Sequence, residues 1–211
     1  MTTVPPPPDK LTEPNLILVP AKTVLHRVHA RTYPGNAFNP CRGGPTRFAP
    51  TRDRNGRCVP SLCAGGTVES AIFETVFHDI PLTADSKTVP ASALAFRLHS
   101  TLLLQTDLRL ASLRTPDLAK WRLGREQLIG SHAALYARTA QWAEAIHQRF
   151  ADVQGLIWTS NLCDPDDALL LFGDRVGEAA VEVVAARKGI DASFLEDARK
   201  AGWRAGIRIS L

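Results

Sequence analysis

The chain has 211 residues, 45% of them hydrophobic and 22% charged, with a formal net charge of +4. That balance suits one soluble globular domain with a sizeable core, and its mild basic bias suits an anionic ligand or an acidic partner. It argues against a dedicated nucleic-acid binder, which would show a basic run or a basic aromatic patch, and no apolar stretch approaches membrane-spanning length.

The amino terminus shows no charged-then-apolar leader. Residues 1–14 hold the run Pro5-Pro6-Pro7-Pro8 and then Asp9-Lys10, and they read as a flexible Pro-rich lead-in to a domain over 15–211. Leu16 to Val19 and Val24 to Val28 are β-prone, and alternation in the second predicts a strand. Arg27 sits there between apolar Leu25 and Val28, a candidate to point inward. Residues 34–66 are broken by Gly and Pro turns and carry Arg42, Arg47, Arg52, Arg54 and Arg57, the densest group of cations in the chain. An irregular segment this long inside a domain is more often functional than decorative. Within it, Thr46-Arg47-Phe48 and Val59 to Ala64 are the pieces suited to strand pairing. Cys41, Cys58, Cys63 and Cys163 show neither C-x-x-C spacing nor a disulfide-framework pattern. Free thiols in a cytoplasmic protein are therefore expected, and no metal site.

Gly65-Gly66 leads into Thr67, a good N-cap, with Glu69 in the first turn where a carboxylate suits the helix dipole. The spacing predicts a helix running through Asp79. Val68, Ala71, Ile72, Phe73, Val76 and Phe77 cover most of its circumference, which leaves Thr67, Ser70, Glu74 and His78 on one narrow polar stripe. A helix so apolar is buried, and a carboxylate on it needs a partner, solvent in a cleft, or a ligand. Taken alone, these residues leave Glu74 open between a structural ion pair and a site. His78 is open between bonding Glu74 across one turn and simply ending the helix.

Farther on, residues 92–106 read as one or two strands, and Thr115-Pro116-Asp117 as a helix start. Thr139 to Phe150 is the clearest amphipathic helix. Gly155 to Ser160 and Ala168 to Phe172 read as two strands joined by a polar connection, 178–187 as strand or helix, Asp191 to Ala201 as helix, and Trp203 to Leu211 as a closing strand. With no internal repeat and no linker, the pattern is a single α+β domain. No G-x-S-x-G elbow, H-E-x-x-H, phosphate-binding P-loop or dinucleotide glycine motif occurs. Residue chemistry alone thus supports a carboxylate beside an arginine-rich segment, a cleft for a phosphate-bearing ligand.

The run Leu25-His26-Arg27-Val28, then Phe38-Asn39-Pro40, Gly43-Gly44-Pro45-Thr46-Arg47-Phe48, Val59-Pro60-Ser61-Leu62 and Ala71-x-x-Glu74-Thr75-x-x-His78-Asp79 resembles the RES-domain family. Thr139-x-x-Trp142-Ala143, Asp152 to Ser160 and Leu171-Phe172 continue the match in order, so it covers roughly 22–175. The resemblance implies a compact ADP-ribosyltransferase-like fold, a mixed sheet flanked by helices, and a bacterial toxin of a toxin–antitoxin pair. It implies NAD as substrate, with no prosthetic group, and cleavage of the nicotinamide–ribose bond with water or phosphate as acceptor. Transfer of ADP-ribose to a protein, or a decayed ligand- or partner-binding module, are the alternatives. It further implies an Xre-type helix-turn-helix antitoxin as partner, with DNA reached only through it, and a homo-oligomer is compatible with it. The family arginine, glutamate and serine match Arg27 or Arg47, Glu74 and Ser160. Glu74, Arg27 and Ser160 are thus the expected catalytic group, and Arg27, Arg47, Cys63, Tyr33, His78 and Ser160 the expected NAD contacts. The chain departs from the family in having Cys63 where tyrosine is usual, eleven positions before the glutamate. Cysteine supplies neither an aromatic face nor a phenol hydroxyl, and Tyr33 is the candidate to substitute.

Overall fold

In the computed structural model, which describes residues 3–81 and 83–210, the apolar runs collect into a mixed eight-stranded sheet. In chain order the strands are β1 (Leu16–Val19), β2 (Val24–Ala30), β3 (Thr51–Arg52), β4 (Cys58–Val59), β5 (Ser61–Gly65), β6 (Thr88–Pro90), β7 (Arg97–Leu104), β8 (Leu108–Ser112), β9 (Gly155–Thr159), β10 (Asp167–Phe172), β11 (Val181–Lys188) and β12 (Arg208–Ser210). The helices are α1 (Val68–Phe73), α2 (Thr115–Ala119), α3 (Arg125–Leu128), α4 (Tyr136–Arg149) and α5 (Ala192–Arg204). Across the sheet the order is β1-β8-β9-β10-β5-β2-β7-β11, with β8 and β9 parallel and the other neighbours antiparallel. The pairs β3–β4 and β6–β12 stand apart as two-stranded sheets. The chain is a single α+β domain with a mixed sheet and flanking helices.

Strand β10 explains why its sequence is continuously apolar. Ala168, Leu170 and Phe172 face a core shared with Trp142, Ile146 and Leu128, while Leu169 and Leu171 face a second core with Leu25, Leu102 and Leu104. A strand buried on both faces has no polar alternation to show. A third core gathers Ile72, Phe73, Phe77, Phe194 and Ala198, where α1 and α5 pack together. Arg204 of α5 donates to Glu69 of α1 at 2.6 Å and ties the two helices at their rim.

The region after β11 follows the expected order, and 178–187 resolves mainly as strand. Three expectations are corrected. The Pro-rich lead-in is not loose: Val4 is 1% exposed, and the indoles of Trp142 and Trp121 donate to the carbonyls of Pro5 and Thr12 at 2.8 and 3.0 Å. A polyproline-like backbone leaves its carbonyls unpaired, so they are free to accept such donors. The cysteines are not all free, because Cys41 and Cys58 form a disulfide. Their separation of 17 residues brings the two ends of the arginine-rich segment together across β3 and β4, a pairing that no spacing motif advertises. The helix after Gly65-Gly66 ends at Phe73, with Glu74 as its C-cap, instead of reaching Asp79. Beyond it the amides of Thr75, Val76 and Phe77 all turn onto the carbonyl of Ile72. This brings Phe77 fully inside, edge-on to Phe73 at 5.3 Å.

Candidate functional site

Strands β2 and β5 share one residue pair, His26 with Gly65. Beyond it they diverge, and a cavity of about 380 Å³ is lined by β2 from His26 to His29 and by Ser61, Cys63 and Ala64 of β5. That volume lies in the range of small-molecule sites. The split is held open by the turn after β5. Gly65 has no room for a side chain there, since a Cβ would lie 2.3 Å from Ser70 Oγ and 2.7 Å from the Ala71 amide. Thr67 and Ser70 form a capping box, and Thr67 Oγ1 also donates to Asp166 at 2.6 Å. The start of α1 is thereby fixed to the connection between β9 and β10, and Glu74 at its far end is aimed into the cavity wall.

Glu74 accepts two hydrogen bonds, both on Oε1: from Ser160 Oγ at 2.6 Å and from the Asn161 amide at 3.2 Å. Among the described residues no cation pairs with it. The structural ion pair left open by the residues is absent from that set, and the carboxylate is held by neutral donors instead. Ser160 is fully buried, and its Oγ also accepts from the Cys163 amide at 3.2 Å. It stands behind Glu74 and is not part of the cavity lining. Its hydroxyl is engaged by Glu74 on one side and by the Cys163 amide on the other. Arg125 donates to the carbonyl of Ser160 at 3.0 Å and to Asn161 at 3.3 Å, fixing the turn that carries both donors.

The cations come from three parts of the chain. Arg27 lines the cavity with its Nη1 on the carbonyls of Gly35 and Ala37, each at 2.7 Å. Burial lowers its pKa from the ordinary arginine value. The clamp depends on Gly35, where a Cβ would lie 2.5 Å from Ser100 Oγ. Arg47 also lines the cavity, donating to Ser131 O, Ser131 Oγ and Tyr136 OH at 3.2, 3.3 and 3.4 Å, with its guanidinium 5.2 Å from the Tyr136 ring centroid. Arg42 and Arg97 also line the cavity, and among the described residues Glu74 is its one acidic lining residue. Four arginines around one carboxylate give the wall a net positive lining with a single negative group, an arrangement complementary to anions.

Cys63 lines the cavity as a free thiol. Its side chain is accessible to solvent at the cavity wall, and desolvation by that wall, with a contribution from the Glu74 charge, pushes its pKa up to about 11, against the pull of Arg27. A thiol so placed is protonated at neutral pH and is a poor nucleophile. His78 lies on the lining with Nδ1 3.1 Å from Asp79 Oδ1, so its polar contact is with its neighbour and it is not found bonded to Glu74 among the described residues. Tyr33 is corrected: it is 48% exposed and outside the lining. The aromatic ring near the arginines is Tyr136, 6% exposed, at the start of α4. The chain has two tyrosines, so elimination pointed to Tyr136 as readily as to Tyr33. Trp158, with its indole N–H sealed in and unpartnered among the described residues, adds a second ring, edge-on to Phe48 at 5.0 Å. His26, His29 and Arg97 were also missed. The signal available was that His26 adjoins Arg27 on the predicted strand, which the structure extends past His29 to Ala30.

The trio Glu69, Cys163 and Asp166 is the one group of metal-capable side chains found close together among the described residues. Glu69 is engaged by Arg204, Asp166 by Thr67, and burial and both carboxylates push the Cys163 thiol up to about 12. These contacts give the trio a structural role in joining α1 to the β9–β10 connection.

A family model described as the RES domain matches residues 24–194. Among solved structures, a chain of the M. tuberculosis MbcT–MbcA toxin–antitoxin complex superposes with a TM-score of 0.60 at 13% identity, over 85% of this chain and 90% of that one. At that identity the likeness is one of fold. No curated protein matches the chain in sequence.

Proposed function

The chain belongs to the RES-domain family, and on that premise we propose that it is the toxin of a toxin–antitoxin pair and that it cleaves the nicotinamide–ribose bond of NAD. The observation that carries the reading is Glu74, held at 2.6 Å by Ser160 inside a cavity lined by four arginines. When the C–N bond breaks, its electron pair leaves with nicotinamide and positive charge develops on the ribose. A preorganised carboxylate favours that state over the neutral ribose, while cations with fork geometry suit the pyrophosphate. Glu74 takes the first role, and Arg27 and Arg47 the second. Ser160 fixes the carboxylate, and a water or phosphate oxygen then forms the new bond to the ribose carbon and releases its proton to solvent. In this reading Tyr136 supplies the aromatic surface that Cys63 does not.

The partner is an antitoxin of the Xre helix-turn-helix type that covers the cavity, DNA is contacted only through that partner, and the setting is the cytoplasm, where NAD is plentiful. The relative of known structure was solved as a toxin–antitoxin complex, which supports a proteinaceous inhibitor. The test is nicotinamide release from NAD by the purified chain. Glu74→Gln is expected to lower kcat by about 100-fold or more, in line with the loss of one preorganised electrostatic group. Equal rates for the two proteins would overturn the assignment. Labelled NAD in the same assay identifies the acceptor: free ADP-ribose or its phosphate for a small molecule, a labelled band for a protein.

A further inference from the structure

A line of side chains crosses from α5 through β11 and β7 to the cavity wall formed by β2. Asp197 pairs with Arg187 of β11 at 2.8 Å. Arg187 reaches Nδ1 of His99 on β7 with Nε at 3.2 Å and Nη2 at 3.1 Å. His99 Nε2 lies 3.1 Å from Nδ1 of His26 on β2. His99 is 2% exposed and sits between two rings, stacked on His26 at 5.3 Å and on Phe194 at 5.6 Å. His26 is the end of the line and belongs to the cavity lining.

The proton positions follow from what each group can do. A guanidinium only donates, so Nδ1 of His99 is an acceptor and the proton of the neutral ring sits on Nε2. That N–H points at Nδ1 of His26, which must accept it. His26 therefore carries its own proton on Nε2, since the one ring hydrogen bond found for it among the described residues is on Nδ1. Burial and the Arg187 charge favour the neutral form of both rings. A histidine whose tautomer is dictated from behind presents one defined face to a ligand.

We infer that His26 is a substrate-binding residue, offering a fixed, uncharged Nε2–H donor to an oxygen acceptor of the nucleotide bound in the cavity, and that His99 and Arg187 are the positioning residues that set its tautomer. The inference rests on the NAD reading for the identity of the nucleotide. An uncharged donor beside Arg27 binds an oxygen without adding to the positive charge that would oppose charge building on the ribose.

Two measurements test it. Ring nitrogen shifts in the wild-type chain at neutral pH should show His26 as the Nε2–H tautomer, and His99→Phe should release it to a mixture. A Nδ1–H ring or an imidazolium in the wild type overturns the inference. Calorimetric binding of NAD to Glu74→Gln, chosen to stop turnover, supplies the second. His26→Phe in that background should weaken binding about tenfold, the scale of one lost hydrogen bond, and His26→Gln, which keeps an N–H donor, should recover most of it. His99→Phe should weaken binding severalfold without touching the ligand. ADP-ribose, which lacks nicotinamide, locates the acceptor. A matching loss places it on the phosphates or riboses, and a loss confined to NAD places it on the carboxamide. NAD binding unchanged by His26→Phe sinks the contact alone, whereas no NAD binding by any folded variant sinks the NAD reading and the contact with it.

Discussion

Ser160 shows how much a buried hydroxyl can matter without meeting a ligand. It donates to Glu74 and accepts from the Cys163 amide, so Ser160→Ala removes a donor from the carboxylate and leaves a buried N–H unsatisfied. The expected outcome is a loss of about 1–3 kcal/mol in stability and about a tenfold fall in kcat with little change in KM. Chemical denaturation and steady-state NAD kinetics on one preparation check both. His99 makes a pH prediction whose sign is fixed by burial and Arg187, which hold its pKa at about 4 against an ordinary 6.5. The folded state favours the neutral ring, so this stabilisation is complete above pH 6.5 and is lost as pH falls towards 4. Between those limits the wild type should lose on the order of 3 kcal/mol more than His99→Phe, measured by urea titration at each pH. Equal slopes for the two proteins would rule it out.

At the scale of elements, the segment from Cys41 to Cys58 forms part of the cavity wall, carrying Arg42, Arg47 and Phe48, with few strand hydrogen bonds of its own. The disulfide closes it. A loop of about this length is stabilised by roughly 3 kcal/mol through restriction of the unfolded chain. Reduction, or the double replacement Cys41→Ser/Cys58→Ser, is expected to lower Tm by about 6–12 °C and to weaken NAD binding severalfold. Calorimetry with and without reductant decides it, the double variant serving as the control that reductant must not change. In a reducing cytoplasm this bond would stand against the ambient thiol pool, so its state in cells bears directly on how ordered that wall is. Helix α1 carries a related lesson. Its polar stripe was legible from residue spacing, but its end was not, because the break at Glu74 is decided by Phe77 entering a core to which α5, over a hundred residues away, brings Phe194, Ala198 and Ala201.

Taken as a whole, the molecule is closed at one end by its own amino terminus. Val4 and Leu11 join the core beneath α2, α3 and α4, and four side chains from that layer donate to carbonyls of Thr3, Pro5, Pro8 and Thr12. Removing residues 1–12 should therefore cost about 3 kcal/mol or more from the two apolar side chains alone, a fall in Tm of about 6–12 °C by thermal unfolding. An unchanged Tm would restore the loose lead-in that proline content suggested. The cavity lies between β2 and β5 and meets that layer at Tyr136 and Trp158, so the truncated chain should retain NAD binding wherever those two rings keep their places.

By itself the sequence determined the class of fold, the run of strands on either side of α4, the capped start of α1, and the family, through many short motifs in one order. It also nominated Glu74, Arg27 and Arg47, and the structure gathers these at one cavity. Those features are local or are carried by residue type, and local patterns survive in a linear string. Only the tertiary structure decided that Ser160 lies behind Glu74, that Tyr33 is outside and Tyr136 inside, that Cys41 meets Cys58, and that His26 is set by His99 and Arg187. Each depends on separate segments of the chain becoming neighbours in the fold. The parting of β2 from β5 after a single residue pair then leaves a space that no spacing along the chain describes.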